Sequence, residues 1–329
     1  MKGHLVLINL LLLTLILLKC TRHEKILLEN NLQGVQHLGI PVYNIEQSKD
    51  WYTEKLGFQV VHEPSVPTKE GNIKVAFLKK SDMTLELYQL VGESLDEIKT
   101  RNHGHIDHFA IDVIDIDKAL KDALDAGAIL DESNPNGAET IDVFWSKGVK
   151  YVIIKGPNGE RVELNQRLDL DKLRRRENLN GWSHLGIPVT NLKKSKDFYN
   201  QFGFKEIMYA EIPNGDKSIK VLMIEKDGFV IELYQMFGNS LEEISIRKDG
   251  HIDHIALDVI DINKAFKELQ EAGFEILEDA PVYLDFWDNG VKYFNIRGPD
   301  YEKLEFNEKI KPIEFFYQNE SLLLYLTRR

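Results

Sequence analysis

Cysteine is almost absent from this chain of 329 residues. The only one is Cys20, so neither disulfides nor thiolate metal sites shape the folded part, and His and carboxylates remain as candidate ligands. Positive charge is also short: 41 Lys and Arg stand against 53 Asp and Glu, a net charge of −12. That balance excludes nucleic acid as a partner, because phosphate binding needs cations in excess. The one cationic run, Arg174-Arg175-Arg176, is brief and reads as a solvated linker. Only one long apolar run occurs, Leu5–Leu18, and it falls short of the about 20 residues that span a bilayer. With Lys2 before it and Lys19-Cys20 after, it leaves three readings open: a secretion signal or lipid anchor, a short membrane-associated segment, or an extension from an upstream start. Membrane contact is expected only through residues 1–20. A content of 43% hydrophobic and 29% charged residues describes soluble globular domains for the rest.

What the chain does have is a long internal repeat. GHIDH at 104–108 returns at 250–254, HLGIPV at 37–42 returns at 184–189, and ELYQ at 86–89 returns at 232–235. Phe144-Trp145 returns as Phe286-Trp287. A period of about 146 residues is a whole domain copied once, not a solenoid unit of 20–50 residues. The expected layout is a first domain at 34–167, a charged linker at 168–180, a second domain at 181–309 and an appendage at 310–329.

Within the first copy, Val35–Val42 reads as a strand and Ser48–Leu56 as a helix stopped by Gly57. Phe58–His62, Ile73–Lys79 and Met83–Leu90 read as three further strands. His105–Ile114 is a strand, and Asp115–Ala126 an amphipathic helix with apolar residues at i, i+3, i+4, i+7 and i+8. Strands near Ile129, at Val149–Lys155 and at Arg161–Gln166 follow. Each copy is thus a doubled β-α-β-β-β unit, four in all, of class α+β. Between units, Ser94 with Glu97 and Ser240 with Glu243 have the spacing of capping boxes.

Each copy carries one His on its first strand, one Glu on its fourth, one His on its fifth and one Glu on its eighth. These are His37, Glu86, His108 and Glu163, then His184, Glu232, His254 and Glu305. Alternation along a strand turns Glu86 away from Leu85 and Leu87, His108 away from Phe109 and Ile111, and Glu163 away from Val162 and Leu164. A lone His or Glu on a strand is ordinarily surface decoration; four that recur together form a set. Two imidazoles and two carboxylates suit Zn, Ni, Co or Fe as a divalent ion. The pattern leaves open whether the sets form within a copy or cross, joining His37 and Glu86 to His254 and Glu305. His105 and His251 fall on the opposite parity and read as turn or surface residues. Trp145 and Trp287 either wall a substrate pocket or simply pack, and Arg101 and Arg247 either hold a substrate anion or cap a helix C-terminus.

HLGIPVYNIEQSKDWYTEKLGF, GHIDHFAIDV and GPNGERVELNQ resemble the strand motifs of the vicinal oxygen chelate superfamily, which includes glyoxalase I, methylmalonyl-CoA epimerase, resistance proteins and extradiol dioxygenases. The resemblance covers most of residues 35–308. It implies paired modules around one divalent ion per pair, in a monomer that is an internal pseudo-dimer. The His-Glu-His-Glu set is similar to that of bacterial glyoxalase I. What this implies is a metal-dependent lyase or isomerase that moves a proton beside the chelated carbonyl of a small α-oxo or α-hydroxycarbonyl substrate, a thiol adduct among them. Glu163 and Glu305 would be the bases. Pro41 and Pro188 stand where the glyoxalase pattern has a basic residue for glutathione, which points to another thiol or substrate. A resistance-type binding protein and a ring-cleaving dioxygenase are the alternatives.

Overall fold

The computed structural model describes residues 26–170 and 179–311. The apolar N-terminal run, the arginine cluster at 174–176, most of the linker and the C-terminal tail lie outside the described residues. Among the described residues no helix is long and apolar enough to cross a membrane.

The first module comprises β1 (Leu32–Pro41), α1 (Ile45–Leu56), β2 (Gln59–His62), a short β3 (Ser65–Thr68), β4 (Gly71–Lys80) and β5 (Met83–Gln89). After α2 (Gly92–Ile98) comes the second module: β6 (His108–Val113), α3 (Ile116–Asp125), β7 (Ile129–Leu130), β8 (Glu139–Ile141), β9 (Val149–Lys155) and β10 (Arg161–Arg167). The third has β11 (Leu179–Pro188), α4 (Leu192–Asn200), β12 (Lys205–Asn214), β13 (Lys217–Lys226) and β14 (Phe229–Gln235). α5 (Asn239–Ser245) leads to the fourth: β15 (His254–Val259), α6 (Ile262–Glu271), β16 (Val282–Leu284), β17 (Val291–Arg297) and β18 (Lys303–Lys309). The four-module α+β reading stands. β3 and β8 are additional short edge pieces, too brief to register as periodic patterns.

Local chemistry explains the helix ends. The side chains of Asn44, Asp115, Asn191 and Asp261 accept hydrogen bonds from first-turn amides of α1, α3, α4 and α6. Gly57 takes the left-handed conformation, φ 71°, that ends α1. The expected capping boxes do not form. α2 and α5 begin at Gly92 and Asn239, so Ser94 and Ser240 lie inside the helix and neither start has a side-chain cap.

Two nine-stranded sheets result, and each mixes the copies. One runs β16-β17-β18-β15-β1-β5-β4-β2 with β3 beside β4, the other β12-β13-β14-β11-β6-β10-β9-β7 with β8 beside β9. The first module therefore pairs with the fourth and the second with the third, through antiparallel β1–β15 and β11–β6 contacts. Of the two pairings the repeat allows, the crossed one forms. Leu38, Ile40, Leu85, Leu87, Ile111 and Leu164 are fully buried in one apolar core that also takes in the helices. Strand alternation then sends the intervening His and Glu side chains to the other face of each sheet.

Candidate metal centres

β1 and β5 run parallel in the centre of the first sheet and bring His37 and Glu86 to one face, while β15 and β18 add His254 and Glu305. The two imidazole Nε2 atoms are 3.2 Å apart. Glu86 Oε2 stands 3.3 Å from His37 Nε2 and 3.5 Å from His254 Nε2. Glu305 is a little farther, 3.8 Å from each imidazole. The second sheet repeats the arrangement. His108 and His184 Nε2 are 3.2 Å apart, Glu232 is 3.4 Å from both, and Glu163 lies 3.7 and 3.6 Å away. All eight side chains predicted from the repeat thus converge, four in each sheet. His37, Glu86 and His254, and likewise His108, His184 and Glu232, have ligand atoms within 4.8 Å of one another, close enough to hold a metal ion.

The hydrogen bonds behind the imidazoles fix which nitrogen is bare. His254 Nδ1 lies 3.0 Å from Asp253 Oδ2, and His37 Nδ1 contacts Gln36 Oε1. Both partners are acceptors, so each imidazole donates from Nδ1 and turns its Nε2 lone pair inward. In the second sheet Asp107 Oδ2 stands 3.3 Å from His108 Nδ1, and Ser183 Oγ 3.3 Å from His184 Nδ1. Two lone pairs and two carboxylates facing one point repel unless a cation lies between them. This donor set therefore fits a divalent ion held by nitrogen and oxygen.

The electrostatics agree. Burial opposes charge on His254, yet the charge of Glu305 and the bonds to Asp253 and Glu86 outweigh it and raise the imidazole to about 10. His108 is raised to about 10 against the same burial, chiefly by Asp107 and Glu232. Burial would raise Glu86, but the charge of His37 and the bond to His254 bring it down to about 2. Glu305 goes the other way, raised by burial despite His254 and His37. Each quartet attracts positive charge, a proton where no metal competes.

Asp253 and Asp107, which recur within the GHIDH repeats, were not among the expected site residues. Each is buried behind its histidine and anchored by cations: Arg101 at 3.1 Å and Lys303 at 2.7 Å on Asp253, Arg247 at 3.0 Å and Arg161 at 3.1 Å on Asp107. Arg101 and Arg247 thus sit behind the sites rather than in them, and their other contacts are Glu97, Glu243 and the Gly250 and Gly104 carbonyls. Among the described residues neither guanidinium bonds a carbonyl of α2 or α5; the backbone N–H groups do, Arg101 to Ile98 and Arg247 to Ile244. Gly39 and Gly186, within the HLGIPV repeats, complete the frame: a Cβ at either would lie 2.0 Å from His254 Cε1 or His108 Cε1. His105 and His251 lie outside the strands, half-buried and apart from the quartets.

Above the His37 quartet opens a cavity of about 270 Å³, walled by Val66, Ile73, Phe77, Leu284, Phe286 and Trp287 among others. Trp287 holds a left-handed backbone conformation, φ 61°, with its ring stacked 4.1 Å from His62 and its backbone N–H donated to His62 Nε2. Lys309 Nζ lies 4.0 Å from the centre of the same ring. Trp145, φ 53°, repeats the conformation beside His184, with Arg167 3.8 Å over its ring, and lines a void of about 60 Å³. Each tryptophan borders its cavity and also packs against an apolar cluster.

A family model for the glyoxalase/bleomycin resistance protein/dioxygenase superfamily matches residues 34–164 and 181–306. The chain belongs to this superfamily. Its two tandem domains make the internal pseudo-dimer expected from the repeat. YwbC of Bacillus subtilis, an uncharacterized protein, is 30% identical over 127 residues, which is 38% of this chain and 95% of YwbC. The fold is similar to that of glyoxalase I from Zea mays, with a TM-score of 0.64, 20% identity, and coverage of 85% of this chain and 94% of the maize chain. A putative dioxygenase from Bacillus subtilis has a TM-score of 0.57 and 15% identity, covering 85% of this chain and 86% of its own. At these identities the likeness is one of fold.

Proposed function

We propose that the chain is a metal-dependent lyase or isomerase of the glyoxalase I type, with two sites that each move a proton beside the carbonyl of a small α-oxo or α-hydroxycarbonyl substrate. The observation that carries this reading is the quartet itself: two imidazoles with inward Nε2 atoms and two carboxylates, formed twice. His37, Glu86, His254 and Glu305 would hold one divalent ion, nickel, cobalt, zinc or iron, and His108, Glu163, His184 and Glu232 the other. A bound ion supplies Lewis acidity toward vicinal oxygens.

The residues then divide the work. Glu86 and Glu232 stand closest to both imidazoles and serve as ligands. Glu305 and Glu163 stand farther out and are the bases that take the proton from one carbon and return it to its neighbour. Burial raises the Glu305 carboxyl and so strengthens it as a proton acceptor. Positioned general bases of this kind contribute about 10²–10⁴ in rate. Asn307 donates to Glu305 Oε1 at 3.2 Å and Asn165 to Glu163 Oε1 at 2.8 Å, leaving the second oxygen of each for the substrate. Trp287 and Trp145 form part of the substrate wall.

The test is metal content after gentle purification, with proton exchange on methylglyoxal–thiol adducts. Nickel, cobalt or zinc with exchange, lost in the Glu163→Gln/Glu305→Gln double variant, is the expected result. Full activity in that variant overturns the base assignment. Iron with oxygen uptake would favour the dioxygenase reading, and a chain that binds no metal would favour sequestration.

A further inference from the structure

The two halves of the molecule match residue for residue over much of the site wall, so a mismatch beside a quartet is informative. The clearest one falls on β17. Asn295 stands directly across from Glu305 in the antiparallel β17–β18 pair, and therefore on the same face of the sheet. In the other half Ile153 stands across from Glu163 in the same way. Asn295 lines the cavity above the His37 quartet and is only 7% exposed.

Its hydrogen bonds are incomplete. The Asn295 amide group donates from Nδ2 to Glu278 Oε1 at 2.9 Å, and its backbone N–H donates to Glu278 Oε2 at 2.6 Å. Glu278 thereby fixes the orientation of the carboxamide, and Oδ1 is left buried with no partner among the described residues. A buried acceptor without a donor costs free energy, and native interiors rarely keep one that serves no purpose. Asn295 is one of the residues that line the cavity.

We propose that Asn295 determines specificity at the His37 site: its Oδ1 accepts a hydrogen bond from an uncharged donor, a hydroxyl or N–H, on a ligand whose apolar body fills the cavity. This rests on the metal-site reading above. The apolar body follows from the walls, which Val66, Ile73, Val75, Leu284 and Phe286 dominate. The lack of ligand charge follows from the cations. Lys303 lines the cavity, but its ammonium is 2.7 Å from Asp253 and committed there. No other Lys or Arg appears among the described lining residues, and Lys309, outside that lining, sits over the Trp287 ring, so a ligand bearing several carboxylates finds little counter-charge beyond the proposed metal ion. The size sets a limit as well, since about 270 Å³ holds roughly nine water-sized groups.

The experiment uses the full chain loaded with cobalt and follows visible absorption during titration. Benzohydroxamic acid is the probe with an N–H donor, and N-methylbenzohydroxamic acid is the probe without it. In the native protein the first is expected to bind about tenfold more tightly at the His37 site, the worth of one buried hydrogen bond. Asn295→Leu keeps the shape of the carboxamide without its acceptor, and Asn295→Ile installs the residue that the matching strand already carries. Both are expected to bind cobalt as the native chain does and to lose most of the preference. An equal preference in the native chain and both variants overturns the proposal while the metal site stands. Failure of the quartets to bind cobalt removes the metal-site reading and this inference with it.

Discussion

Gly104 and Gly250 lie back to back where the two halves cross: a Cβ on Gly104 would stand 2.2 Å from the backbone nitrogen of Gly250 and 2.5 Å from its Cα. Around this contact, Arg101 donates to the Gly250 carbonyl and Arg247 to that of Gly104, and Ile106 bridges Ile252. Any side chain at either glycine pushes the halves apart. Gly104→Ala is expected to destabilise the chain by about 1–3 kcal/mol, the usual cost of overpacking. Urea denaturation of the variant beside the native chain measures it, and an unchanged midpoint would show that the crossing yields freely.

Gly39 makes a narrower demand, since a Cβ there would overlap the His254 ring at 2.0–2.4 Å. The ring is a proposed ligand, so Gly39→Ala is expected to displace it and empty one quartet. The chain should then bind one divalent ion instead of two, and Gly186→Ala should do the same through His108. Metal stoichiometry by elemental analysis decides the matter: two ions in both variants would mean the rings are free to move aside.

Asp253 and Asp107 hold their histidines from behind, with two cations on each carboxylate. Asp253→Asn keeps an acceptor for His254 Nδ1 but loses the charge that makes the imidazole a strong ligand. Metal affinity at that site is expected to fall by about 10–100-fold, the ordinary effect of removing such a partner. Competition titration with a chelator gives the affinity directly. Because Asp107 serves the other sheet, one site should weaken in each single variant and both in the double.

Strand parity made the quartets legible, because Leu85 and Leu87 leave only the opposite face for Glu86 between them, and Phe109 and Ile111 leave it for His108 just before them. The crossed pairing was not legible for a physical reason. β1 and β11 carry the same HLGIP run, so β6 and β15 meet an equivalent partner either way. Arg101 and Arg247 stood out by recurring, yet recurrence does not say that their partners are the aspartates of the opposite copy. Asn295 was missed because it breaks the repeat, and a residue that differs between copies is invisible to an argument from recurrence. The failed capping boxes show the limit of spacing alone: Ser94 has the spacing, but the helix has already started at Gly92.

The last prediction concerns Glu302, which belongs to neither quartet and is wholly buried. Its carboxylate accepts from Tyr199 Oη at 2.9 Å and from the Asp300 backbone N–H at 3.0 Å. Burial outweighs these bonds, and the nearby Asp300 charge adds to it, so the carboxyl is pushed up to about 7. A carboxyl that holds its proton more tightly when folded than when unfolded favours the fold at low pH. That contribution is complete below the unfolded value near 4.5 and is lost as the pH rises through about 7. Its size is on the order of 3 kcal/mol for a shift of this extent. Glu302→Gln cannot ionise and keeps one acceptor oxygen. It should flatten the fall in stability between about pH 5 and 8 that the native chain owes to this group, narrowing or reversing any deficit at pH 8. Denaturant midpoints at the two pH values test this. If the pH slopes of variant and native chain coincide, Glu302 is not the group that carries the dependence.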